Sequence, residues 1–222
     1  MDWPALLLSL KLSAWTVVWL LPLGIVAARA LAWGEFRGRA WVEALVALPL
    51  VLPPTVLGYY LLSMFGGATP IGAAWQSAFG RPLAFSFQGL LLASMLFNIP
   101  FVVQPMQRAF EAIPREVREA AWCSGLSAWR TFRIIEMPLA WPGIVSALVL
   151  TFAHTMGEFG VVLMMGGNIP GETQTIAIAI YDRVQAFDEA GAAAMSGLLL
   201  AFSLLAIAAV YMFASRVGGC RG

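Results

Sequence analysis

The sequence predicts an all-α integral membrane protein with about five transmembrane helices. Three observations carry that prediction. Only 11% of the 222 residues are charged and 60% are hydrophobic, with a mean hydropathy of +0.81, whereas soluble domains carry about 25% charged residues. The apolar residues gather in runs of about 20, the length a helix needs to cross a hydrocarbon core. The basic residues fall in every second gap between those runs, which puts them on one side of a bilayer. A single membrane domain over 1–222 follows, because no hydrophilic block is long enough for a soluble one.

The first run covers 5–28. Lys11 interrupts it near one end, where an ammonium reaches the interface on its apolar stem. No basic leader or small-residue cleavage site accompanies it, so it is read as a retained span. The second run, 43–65, contains Pro49, Pro53 and Pro54. Such a kinked helix either packs at the kink or lines a cavity where freed carbonyls are satisfied. The third, 85–107, carries Asn98 and Gln104; the fourth, 142–165, carries Thr151, His154, Thr155 and Glu158; the fifth is 191–215. Between them, 66–84 reads as a loop from Gly66-Gly67 and Thr69-Pro70. The connection 166–190 includes a short helix at 176–184 expected at the outer surface. No internal repeat is visible.

Orientation follows from the charges. Arg29, Arg37, Arg39, Arg108, Arg115, Arg118, Arg130, Arg133, Arg216 and Arg221 share one side, ten of the thirteen Lys and Arg. That side is the cytoplasm by the positive-inside rule, leaving the N-terminus outside and the C-terminus cytoplasmic. Trp3, Trp33, Trp41, Trp75 and Trp141 fall near span ends, as interfacial aromatics do. Cys123 and Cys220 are far apart in polar segments and fit neither a disulfide nor a metal site. A net charge of +1 gives no reason to expect a nucleic-acid partner.

The polar segment 108–141 stands out. Pro114 suits the first position of a helix, and Gly125 suits the left-handed residue just past its end. The spacing predicts one helix over 114–124 and a second over 127–136, with Trp129, Phe132 and Ile135 packing beneath it. Pro138 and Pro142 then bend the chain into the fourth span. Arg115 and Glu119 share a face four residues apart, and Val117, Ala120, Ala121 and Ser124 form a narrow face of small residues. Helix physics alone leaves two readings: an ion-paired solvated connector, or a helix that docks in a partner's groove.

The full spacing of this segment resembles the signature loop of ABC importer permeases. It reads Glu119-Ala120-Ala121, three residues, Gly125, nine residues, Ile135, one residue, Met137-Pro138. The family pattern has Leu where this chain has Met137, a swap that conserves volume. The resemblance extends further. The run from Leu48 through Pro53-Pro54-Thr55 to Tyr59, the segment Gly157-Glu158-Phe159-Gly160, and Asn168-Ile169-Pro170-Gly171-Glu172-Thr173 look like segments of molybdate permeases, in order. Sulfate and tungstate permeases share part of the pattern.

The resemblance implies a type I ABC importer transmembrane domain moving molybdate or a related tetrahedral oxyanion by alternating access. It implies ATPase coupling through Glu119, Ala120, Ala121, Gly125, Ile135 and Pro138. It also implies a homodimer of permeases, a cytoplasmic ATPase dimer that holds ATP and Mg, a periplasmic oxyanion-binding protein, and a bacterial inner-membrane location. No cofactor is expected on this chain, which has no phosphate loop, and no C-terminal regulatory domain is expected after the fifth span. Alternatives are a sulfate or tungstate permease, a stand-alone secondary transporter, or a membrane enzyme. One His and no inverted repeat speak against the last two.

Pro53, Pro54, Asn98, Thr155, Glu158 and Phe159 are the candidates for pathway or gate. A carboxylate repels an oxyanion, so Glu158 is read as structural or gating, bonded to backbone N–H groups or to a basic partner. His154 lies four residues before it. The two make either a local polar contact or a proton relay, and are too few for a metal. Asn98, Gln104, Thr151 and Thr155 either face the path or join helices by hydrogen bonds.

Overall fold

The computed structural model describes residues 2–218; Cys220 and Arg221 lie outside the described residues, as does the side chain of Arg216. Among the described residues every regular element is a helix. The first, α1 (Trp3–Trp33), starts where the Asp2 carboxylate accepts from Ala5 N–H at 3.1 Å and stops at Gly34. Next come α2 (Arg39–Val51), α3 (Pro54–Phe65), α4 (Pro70–Phe79) and α5 (Phe87–Glu111), the last capped by the Ser86 hydroxyl on Gly89 N–H. The polar segment forms α6 (Arg115–Cys123), α7 (Ala128–Thr131) and a π-helical turn (Phe132–Glu136). The chain closes with α8 (Met137–Met156), α9 (Gly160–Gly166), α10 (Ile176–Gln185) and α11 (Glu189–Gly218).

Four continuous helical stretches are long and apolar enough to cross a bilayer: Trp3–Trp33, Phe87–Glu111, Ala128–Met156 and Glu189–Ala208. The expected second span is instead two helices separated by a break. Its halves, α2 and α3, meet at a bend of 111°. Pro53 and Pro54 supply no backbone N–H, and a residue before proline is driven out of the α region. Leu52 (ψ 136°) and Pro53 (ψ 135°) are accordingly extended. A kink was expected here; consecutive prolines turn it into a corner.

The expected fourth span, 142–165, also differs. Helix begins well before it and ends at Met156, and Gly157, Glu158 and Phe159 form a break before α9. Pro138 and Pro142 do not interrupt the helix into this span, which runs through both. The π turn explains why. Met137 N–H bonds back five residues to Phe132 O, and this widened turn accommodates the proline ring and missing donor at the start of α8. The loop 66–84 contains α4, because Thr69 and Pro70 serve as N-cap and first residue of a helix: the Thr69 hydroxyl accepts from Gly72 N–H at 3.0 Å. The helix predicted at 176–184 is present as α10, with Ile176, Ile178 and Ala179 buried against the body and Tyr181 and Val184 exposed.

The core is built around α5. Leu20, Ala28 and Leu31 of α1 pack with Val102, Met106 and Phe110 of α5 and Ile144 and Ala147 of α8. The helices approach closely because small residues face each other, as in membrane helix pairs generally. A Cβ on Gly24 would lie 2.1 Å from Val102 Cγ1, and one on Gly143 would lie 2.3 Å from Ala109 Cβ. A second cluster joins α3, α5 and α9 through Leu61, Phe97, Val161 and Met165. α11 is peripheral, with Leu200, Leu204 and Leu205 exposed.

Candidate functional site

Two polar assemblies lie on this scaffold. The first is the loop 112–138 at the end where α1 and α5 finish. Pro114 (φ −58°, ψ 141°) stands one residue before α6 as its N-cap, rather than inside it. The helix ends in a Schellman arrangement: Leu126 N–H bonds to Ala121 O at 3.1 Å and Gly125 N–H to Trp122 O at 2.9 Å. Gly125 sits at φ +79°, the left-handed conformation that closing this motif requires.

α6 exposes Glu119, Ala120, Val117 and Ser124. Ala121 does not join that face. It is 5% exposed and turns toward the body, because one residue along a helix rotates the side chain by about 100°. Arg115 extends to Glu35 (3.3 Å), with both side chains solvated. Trp129 does not pack beneath the second helix but is exposed; Phe132 and Ile135 are half-buried in the π turn, and Pro138 is exposed in the first turn of α8.

The residue that sequence reading missed is Glu136. It is fully buried. Arg29 of α1 donates through Nε to Oε2 (2.6 Å) and through a terminal nitrogen to Oε1 (3.3 Å), and Arg118 of α6 donates through Nε to Oε1 (2.9 Å). The Arg118 guanidinium lies 3.9 Å from the Trp33 ring centroid and 5.1 Å from that of Trp122; Arg29 lies 5.2 Å from Phe132. Removing one member of such a buried set costs about 3–5 kcal/mol, since a charge is left unpaired in apolar surroundings. The available signal was a lone carboxylate between Ile134-Ile135 and Met137.

The second assembly lies where the two broken spans touch. A Cβ on Gly160 would come within 3.0 Å of Pro54 Cβ, and one on Gly58 within 2.6 Å of Met164 Cβ, so α3 seats directly on α9. Phe159 leads into α9 with its ring 5.1 Å from Tyr181, while Pro53 and Pro54 are exposed. Glu158, 4% exposed, sits in the break between α8 and α9. The backbone N–H groups or basic side chain expected to hold its carboxylate do not do so among the described residues. Ser94 Oγ donates to Oε2, Asn98 Nδ2 stands 3.5 Å from the same oxygen, and Oε1 is buried without a partner. The reason is topological: the break faces α5, which presents Ser94 and Asn98 one turn apart.

Asn98 is itself fully buried, giving its amide hydrogens to Ser94 O (2.8 Å) and Glu158 and meeting His154 Nδ1 through Oδ1 (3.0 Å). His154 and Glu158 are therefore linked through Asn98, with the imidazole stacked on Phe101 at 3.9 Å. Thr155 donates back to Thr151 O (2.8 Å), and the Thr151 hydroxyl is buried without a partner. Among the described residues no three His, Cys, Asp or Glu side chains group as a metal site requires.

Residues 21–219 match the family described as binding-protein-dependent transport system inner membrane component, and the chain belongs to that family. A bacterial ABC transporter involved in the import of the acidic polysaccharide alginate has a chain of the same fold, with a TM-score of 0.74 at 17% identity, covering 96% of this chain and 79% of that one. The fold is thus that of a type I ABC importer permease. More particularly, the chain is 47% identical over 210 residues to the molybdenum transport system permease protein ModB of Azotobacter vinelandii, covering 95% of this chain and 93% of that protein. It is 33% identical over 195 residues to the sulfate transport system permease protein CysT of Escherichia coli K12, covering 88% and 70%.

Proposed function

We propose that this chain is the membrane-spanning permease subunit of an ATP-driven importer of molybdate or a closely related tetrahedral oxyanion. One observation carries the reading: a short helix exposing Glu119 and Ala120 and ended by Gly125 projects from a chain that aligns almost end to end with a molybdenum permease. An exposed helix face bearing a small residue suits a groove on another protein. In this reading α6 is the coupling helix, within a cytoplasmic loop spanning about 108–141, and a separate ATPase dimer receives it.

Two copies of the permease enclose the path, and a periplasmic binding protein delivers the anion. The chain forms one domain in the inner membrane, its N-terminus outside and its C-terminus in the cytoplasm. The gathering of Arg29, Arg39, Arg115 and Arg118 at the α6 end supports that orientation. Binding of ATP favours one state of the transporter by its differential affinity, and α6 follows the ATPase between states. The contact of Pro54 with Gly160, just past the Gly157–Phe159 break, is assigned to the gate together with Pro53 and Phe159, with Glu158, Asn98 and Thr155 as the bonded scaffold behind it.

The test is ATP-driven molybdate uptake by proteoliposomes holding this chain, its ATPase and its binding protein, with tungstate and sulfate as competitors. Uptake that needs all three and yields to tungstate but not sulfate is expected. Uptake without the ATPase overturns the importer reading. Competition by sulfate alone moves the substrate to the sulfate branch, which the likeness to CysT keeps in view.

A further inference from the structure

Resting on the coupling-helix reading of α6, we propose that Glu136 is a positioning residue for transport: the joint that passes displacement of α6 to α1 and α8. Apolar packing does not do this work. α6 buries one side chain, Ala121, too small to make the helix move as one body with its neighbours. A second inward contact is Arg118, 12% exposed, clasped between Trp33 at the end of α1 and the Glu136 carboxylate.

The opposite oxygen of that carboxylate holds Arg29 of α1, and Glu136 itself directly precedes the first residue of α8. One buried group therefore ties three helices. The remaining pairs at this end, Arg39 with Glu43 and Glu111, and Arg115 with Glu35, are solvated and can part at little cost. Neither arginine can leave Glu136 without stranding charge in a buried site. The link is consequently stiff in both push and pull.

The experiment uses the reconstituted complex of this chain with its ATPase and binding protein, and reads oxyanions imported per ATP hydrolysed. Glu136→Gln keeps the shape and removes the charge. The expected result is an assembled, ATP-hydrolysing complex whose ratio falls about tenfold, within the usual range of coupling between sites. A wild-type ratio in assembled Glu136→Gln complexes overturns the proposal, because a purely structural role alters yield and thermal stability but not the ratio. If Glu136→Gln does not assemble, Arg118→Lys takes its place. It keeps a cation but gives up the planar stack on Trp33, and again a wild-type ratio overturns the proposal while a lowered one supports it. Failure of the underlying reading registers separately: Ala120→Trp, on the exposed face of α6, would then leave copurification of the ATPase untouched.

Discussion

Glu136 and Glu158 are both buried, and their surroundings compensate them in opposite ways. Glu136 lies between two guanidinium groups, with contacts from 2.6 to 3.3 Å. Glu158 meets only the hydroxyl of Ser94 and the amide of Asn98, and one of its oxygens has no partner. The first is an ionic clamp joining α1, α6 and the start of α8. The second is a pin across a break in the chain, made of hydrogen bonds from two uncharged donors. The contrast teaches that the two ends of this permease are held by interactions of different stiffness: the α6 end as a block, and the break end as a joint that can be remade.

The largest expected effect breaks the clamp. Glu136→Ala strands Arg29 and Arg118 and should cost about 3–5 kcal/mol, read as a lowered unfolding midpoint of the purified permease in detergent. A loss within experimental error of zero would show the clamp to be energetically empty. Next, Gly125→Val forces a β-branched residue to φ +79°. The backbone strain is about 1–2 kcal/mol, yet ATP hydrolysis should be uncoupled from transport in a permease that still folds. Normal uptake would count against docking of α6.

Glu158→Gln should cost only about 1 kcal/mol, because an amide can still accept from Ser94. If its cost equals that of Glu136→Ala, the comparison fails.

The smallest effect concerns an exposed carboxylate, Asp188, which caps α11 through Gly191 N–H at 2.9 Å and pairs with Arg183 at 2.5 Å. The Arg183 hydrogen bond, then the Gly191 bond, hold its carboxyl below the usual aspartate value of 3.8. A depressed folded value means the contribution is full above the unfolded value and vanishes as pH falls through the folded one. Asp188→Asn should therefore lower the unfolding midpoint slightly at pH 7 and not at all in strong acid. A difference that persists in strong acid would assign the effect to something other than this charge.

Much of the scaffold was legible in the residues. The runs behind α5 and α11 are long and uncharged, and the run behind α1 carries a single charge, Lys11, near one end, so burial in lipid is their favourable outcome. Gly125 was legible because a left-handed helix stop leaves few other choices. The corner at Pro53-Pro54 was visible as an interruption, but its 111° was not, since composition carries no angle. α4 was hidden because Thr69-Pro70 is at once a loop signal and a helix start.

The candidate site was only half readable. Ala121 sits in the motif yet faces inward, because a motif names residues and not faces. Glu136 could not be paired from sequence: Arg29 is 107 residues away, and no local spacing announces such a contact.

The π turn before α8 has one more implication. A π turn amounts to one extra residue threaded into an α-helix, and a residue is worth about 100° of rotation. The segment Phe132–Glu136 is thus a phase shifter between α7 and α8. Deleting one residue there would restore regular winding, swing the carboxylate at its end away from both arginines, and turn every side chain of α8 relative to α7. The length of this segment is constrained more tightly than its composition: substitutions can be absorbed one contact at a time, whereas an insertion or deletion alters the register of a whole membrane helix at once.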